Sequence, residues 1–131
     1  GHLSAARLVL GHSFLAMQQF GDAEQAYRDA LSGLSAEDER YSETVDRLAA
    51  SIYRQGENAA AVDDHRGAAL QFERVISSAP PSPIRINAQF DAAVNYIRAG
   101  ELEQANRLLL DFRDRFPDHA LTASVAAIFG K

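Results

Sequence analysis

Cysteine is absent from the 131 residues, and with it any disulfide framework, thiolate nucleophile or cysteine-ligated zinc. That removes redox chemistry but is silent about compartment, because exported and cytosolic proteins can both lack cysteine. Long hydrophobic runs are missing too. Stretches such as Leu8-Val9-Leu10 and Leu108-Leu109-Leu110 fall far short of the roughly 18 residues that a membrane span needs. An excess of positive charge is also lacking: 13 basic residues face 18 acidic ones, and the net charge of −5 disfavours a phosphate backbone as partner. Neither nucleic-acid binding nor direct membrane insertion is expected. β-Branched residues are few, while alanine, the best helix former, occurs 24 times, so the chain reads as all-α with closely approaching helices. At 47% hydrophobic and 24% charged residues a real core can form, and the length suits one domain, residues 1–131, rather than two.

What the chain does have is internal repetition. Ala23, Ala68 and Ala105 are separated by 45 and 37 residues, and other columns keep the same two spacings. Four positions after each alanine stand Tyr27, Phe72 and Leu109; seven after stand Ala30, Val75 and Phe112; twelve before stand Gly11, Gly56 and Ala93. Phe20, His65 and Leu102 form a further column, and Ser35, Pro80 and Pro117 close the units. Each unit reads as helix-turn-helix. In the first, Leu10, Phe14 and Met17 recur at helical spacing, Phe20-Gly21-Asp22 breaks the pattern, and Ala23, Tyr27, Ala30 and Leu31 resume it. In the third, Ser82 caps a helix with Pro83 at its first position, Gly100 is the break, and the second helix runs from Leu102 to Phe116 before Pro117. Small residues at Gly11, Gly56 and Ala93 let paired helices approach, with Tyr27, Phe72 and Leu109 filling the space toward the next pair.

The first spacing exceeds a 34-residue repeat by 11 residues, about three helical turns, so the pattern predicts one long helix from Ala36 to about Val62 capped by Ser35. Its start, with Glu37, Asp38, Glu39 and Arg40, is expected to protrude, and the line Leu34, Tyr41 and Val45 to meet neighbours. The units fall at about 4–35, 36–80 and 82–117, with a partial one at 118–131 whose helix, Ala120 to Phe129, is the expected homodimer contact. Gly1 in place of Met, and Gly130-Lys131 after an apolar run, read as the ends of a piece of a longer protein.

Enzymatic signals are missing. There is no catalytic serine motif, no phosphate-cradling glycine loop and no calcium loop. His2, His12, His65 and His119 lie in different units with none at a helical metal-pair spacing, so no metal or cofactor is expected. Asp63-Asp64-His65 reads as a polar turn, since adjacent turn residues do not aim at one another as a triad must.

The quoted residues resemble the tetratricopeptide repeat. Leu10-Gly11, Phe14, Ala23, Tyr27 and Ala30 carry the likeness in the first unit, Gly56, Ala59, Ala68, Phe72 and Pro80 in the second, and Ala93, Tyr96, Gly100, Ala105, Leu109 and Pro117 in the third. The leading aromatic slot departs, holding Arg7, Ile52 and Gln89. The resemblance implies a right-handed superhelix of three antiparallel helix pairs plus a trailing helix. The wording of unit three, from Gln89-Phe90-Asp91 to Phe116-Pro117, is similar to repeats of bacterial cell-envelope proteins, periplasmic or outer-membrane-associated, with a cytoplasmic location still open. A stacked array offers a concave face lined by the first helix of each unit. Mapped here, that face holds Leu8 and His12, then Tyr53, Arg54 and Glu57, then Phe90, Asp91, Val94 and Arg98. Aromatic anchors with charges of both signs suit a partner protein or peptide segment. A pairing of Arg54 with Glu57 or Asp91 on a solvated surface is the alternative for that arginine. The expected role is a scaffold or adaptor. A structural spacer, or a module delivering substrate to an enzyme elsewhere in a complex, stays open.

Overall fold

The computed structural model describes residues 2–129; Gly1, Gly130 and Lys131, on which the reading of cut ends rests, lie outside the described residues. Seven helices follow one another: α1 (His2–Ala16), α2 (Phe20–Ser32), α3 (Tyr41–Ala61), α4 (His65–Ser78), α5 (Ile84–Arg98), α6 (Leu102–Arg115) and α7 (Ala120–Phe129). Among the described residues there is no strand. Each helix packs on the next, and α3 also touches α5. The result is three helix pairs, α1/α2, α3/α4 and α5/α6, stacked in chain order with α7 resting on α6, a tetratricopeptide-like helical repeat. No helix among the described residues is long and apolar enough to cross a membrane.

The repeated columns form the core. Ala23, Ala68 and Ala105 are fully buried, as are Tyr27, Phe72 and Leu109, and Ala30, Val75 and Phe112. The glycine column is where the paired helices come closest to a ring. A Cβ on Gly11 would lie 2.6 Å from Cε1 of Tyr27, and one on Gly56 would lie 2.6 Å from Cε1 of Phe72. The aromatic ring therefore presses on the glycine of its own pair. The third pair has Ala93 and Leu109 at these two positions, both buried in the core.

The turns inside the pairs are one motif used three times. Gln18, Asp63 and Gly100 occupy the same repeat position, and all have positive φ, at 59°, 62° and 79°. In each case the following N–H bonds the carbonyl five residues back: Gln19 to Phe14 at 2.9 Å, Asp64 to Ala59 at 2.9 Å and Glu101 to Tyr96 at 2.8 Å. This left-handed cap satisfies helix-end carbonyls. It moves the first break from Phe20-Gly21-Asp22 to residues 17–19, and Gly21 lies inside α2. Asp64 accepts from the Gly67 N–H at 3.0 Å and caps α4, so Asp63-Asp64-His65 is a structural turn.

Two further expectations are corrected. The long helix starts at Tyr41, not Ala36. The Ser35 hydroxyl accepts from the Glu37 N–H and the Asp38 carboxylate from the Arg40 N–H, at 3.1 and 2.8 Å; these local bonds hold residues 35–40 in turns instead of helix. Leu34 and Val45 are buried within the chain rather than presented to neighbours. Leu10 and Met17 are 52% and 56% exposed, because α1 turns Ser4 and Gly11 toward α2 and has no earlier helix on its other side among the described residues. The third unit follows its punctuation within a residue: the Ser82 hydroxyl accepts from the Ile84 N–H at the start of α5, and α6 ends at Arg115.

Candidate functional site

The first helices of the pairs, α1, α3 and α5, carry the residues of the expected face. Successive helical residues are about 100° apart, so Phe90, Asp91, Val94 and Arg98 share one side of α5, and Tyr53 and Glu57 share one side of α3. The structure joins these sides directly: the Tyr53 hydroxyl donates to Asp91 Oδ2. The Tyr53 ring also packs on Phe72 with centroids 4.9 Å apart, so the bridge is braced from the core. Burial pushes the Tyr53 phenol above its ordinary pKa, and the bond to Asp91 pushes it further. Burial also raises the Asp91 carboxyl, outweighing the Tyr53 hydrogen bond and the nearby Arg98 guanidinium.

The remaining residues of the face play unequal parts. Arg54 is exposed, pairs with Glu57 at 3.3 Å and lies over the Phe20 ring at 5.1 Å from its centroid. Of the two pairings anticipated for Arg54, the one with Glu57 is formed. Phe90 is half-buried and meets Phe112 edge-on, so it anchors the α5/α6 pair as well as lining the face. Val94 is half-buried and Arg98 exposed. Leu8 packs against the core, and exposed His12 holds the Tyr27 hydroxyl at 2.7 Å through Nδ1, within the first pair. His12, Leu15 and Ala16 of α1 and Arg47 of α3 border a shallow hollow at that end. The geometry offers exposed charges of both signs around a fixed Tyr–Asp bridge. It brings together no nucleophile and base, and among the described residues no group of three His, Asp or Glu side chains could hold a metal ion.

Residues 87–119 match the family model of the tetratricopeptide repeat. That stretch runs from α5 through α6 and includes Phe90, Asp91, Val94 and Arg98. No curated protein and no solved structure matches the chain. Tetratricopeptide repeats are in general protein–protein interaction modules, typically without catalysis.

Sequence reasoning missed the hub at Glu24 on α2. It is nearly buried and accepts from Gln55 at 2.8 Å, from Arg28 at 2.9 Å and from Arg74, so residues of α3 and α4 converge on it. Burial works against its ionisation, yet the three hydrogen bonds win and hold its carboxyl below the ordinary value. Arg28 also reaches Ser78 at 2.8 Å, adding a second bridge from α2 to α4. Only the Glu24–Arg28 spacing of four was visible along the chain.

Proposed function

We propose that the chain is an interaction module of a scaffold or adaptor, holding a segment of a partner protein against the face formed by α1, α3 and α5. The observation that carries this reading is the Tyr53–Asp91 bridge between α3 and α5, flanked by exposed Arg54, Glu57 and Arg98 on rigid helices. Rigid, partly desolvated aromatic and charged groups hold a ligand at low entropic cost. A spacer needs no such bridge, and a substrate-delivery role would use the same face. The resemblance of unit three to cell-envelope repeats supports, in this proposal, a location in or near the bacterial envelope.

The test is a selection from a random peptide library on the intact chain, followed by NMR mapping of the recovered peptide. Shifts should concentrate at Tyr53, Arg54, Glu57, Val94 and Arg98, and Arg54→Glu with Arg98→Glu should abolish them without changing helicity. Shifts confined to other faces, or binding that survives the double reversal, would remove this face from the account.

A further inference from the structure

The opposite side of α5 carries a second set of polar groups. Arg85 and Gln89 lie one turn apart there, facing away from Phe90, Asp91, Val94 and Arg98. They floor a cavity of about 540 Å³ that opens between α4 and α6. Gln89 is 1% exposed; its Nε2 donates to the Leu108 carbonyl at 3.0 Å and to Asp111 Oδ2 at 2.7 Å. With both partners acceptors, the amide orientation is fixed and Oε1 is left as a buried acceptor with no donor. Arg85 Nε, in the same cavity wall, is a buried donor with no acceptor. Unpartnered buried polar atoms are rare in native folds, and here two of opposite kind line one cavity.

The electrostatics point the same way. Arg74, Arg107 and Arg115 join Arg85 around the cavity, against Glu73 and Asp111, in a chain whose net charge is negative. Arg107 pairs with Glu73 at 3.3 Å, Arg115 with Asp111 at 2.9 Å, and Arg74 reaches back to Glu24. Burial resists ionisation of Asp111, but hydrogen bonds from Gln89 and Arg115 hold its carboxyl below the ordinary value, so it accepts from Gln89 as a carboxylate. The position is not uniform within the repeat, and the first unit carries Arg7 where the third carries Gln89. One unit earlier, the residues in register with Arg85 and Gln89 are Leu48 and Ile52, both closed into the core.

We propose that this cavity is a second binding site, distinct from the α1/α3/α5 face, for an acidic peptide segment. A carboxylate of the segment accepts from Arg85, and a backbone N–H beside it donates to Gln89 Oε1. A bare anion supplies an acceptor only; a peptide carboxylate with its own amide supplies both, and the Leu70 and Leu108 side chains give its neighbours an apolar rest. The carboxylate has two sources, an internal Asp or Glu or the end of a chain.

The experiment is an NMR titration of the intact chain with three probes: acetyl-Leu-Glu-Leu-amide, acetyl-Leu-Leu with a free terminal carboxylate, and sodium acetate. Saturable shifts of the Arg85 Nε–H and Gln89 side-chain amide signals are expected with one or both peptides, which also identifies the source. Arg85→Leu should weaken that peptide at least about tenfold, while Arg54→Glu with Arg98→Glu should leave it unchanged. Arg85→Leu introduces the residue type that the second unit carries at this position, so it is expected to fold, and its helicity and melting temperature check this. No saturable shift at these signals, unchanged affinity in folded Arg85→Leu, or acetate binding as well as the peptides would each overturn the proposal.

Discussion

The second and third helix pairs share a register and differ in what they put into it. Where α3 places Leu48 and Ile52, at 2% and 0% exposure, α5 places Arg85 and Gln89. The neighbouring outer helices differ in the same sense. Between α2 and α4 the gap is crossed by Arg28 to Ser78 and by Arg74 to Glu24, whereas between α4 and α6 the cross-links are Arg107 to Glu73 at 3.3 and 3.5 Å, beside an open cavity. Both pairs fold alike because the alanine column and the aromatic or leucine column are intact in each. A repeat needs those columns to stack, and the other positions are free to be closed in one unit and left open for a ligand in the next.

The sharpest break of the comparison is at the glycine column. Gly56→Ala puts a methyl group into the Phe72 ring and is expected to cost about 3 kcal/mol, at the upper end of overpacking. Adding Phe72→Leu copies the Ala93–Leu109 solution of the third pair and should recover most of that loss in a denaturant melt. A double variant no better than Gly56→Ala would mean that the two pairs are not interchangeable at this contact.

Next in size is the Glu24 hub. Its carboxyl is held below its ordinary value, so it contributes stability that is present above that value and is lost as pH falls through the lower folded pKa. Glu24→Gln should cost about 2 kcal/mol at neutral pH, the scale of hydrogen bonds to a charged group, and should flatten the acid limb of the stability curve. An unchanged limb would show that the α2/α4 bridge does not depend on this charge.

The smallest effect concerns the turns. Gln18 and Asp63 hold a left-handed conformation that Gly100 holds without strain. Gln18→Gly should therefore stabilise by about 0.5–1 kcal/mol after its larger unfolded-state entropy is counted. A loss of stability would mean that the side chain makes up for its backbone.

These elements also mark how far the chain could be read before its fold was known. The buried columns were legible because Ala23, Tyr27 and Ala30 recur at helical spacing and repeat in two later units, and packing obeys that spacing. Gln18 was not legible as a turn, because nothing in a glutamine announces positive φ, and the nearby Gly21 drew attention instead. The exposure of Leu10 and Met17 was not legible either, because periodicity identifies a helix but not which of its sides a neighbour covers. In the third unit the matching residues, Ala92 and Ala99, are one buried and one exposed. Residues 36–40 were expected to be helical because the extra length of the first spacing is about three helical turns, and the Asp38 bonds to the Arg40 backbone and guanidinium prevailed locally. Of the candidate face, the repeat puts Tyr53 in register with Phe90 and Arg54 with Asp91, and gave no sign of the bond between Tyr53 and Asp91. The cavity had one visible signal: Gln89 stands in a column whose second member is Ile52. The column also holds Arg7, and a polar member of it marks either a satisfied core group or a site.

The thermal midpoint of Arg85→Leu/Gln89→Ile tests most directly whether the third pair gives up stability for an open site. Replacing the two side chains that carry the unpartnered Nε and Oε1 atoms with the apolar residues of the second pair is expected to raise stability by about 1–2 kcal/mol and to remove acidic-peptide binding. A lower midpoint, with the peptide still bound, would contradict the account, since Arg85 and Gln89 would then be structural members of the pair and not the floor of a binding site.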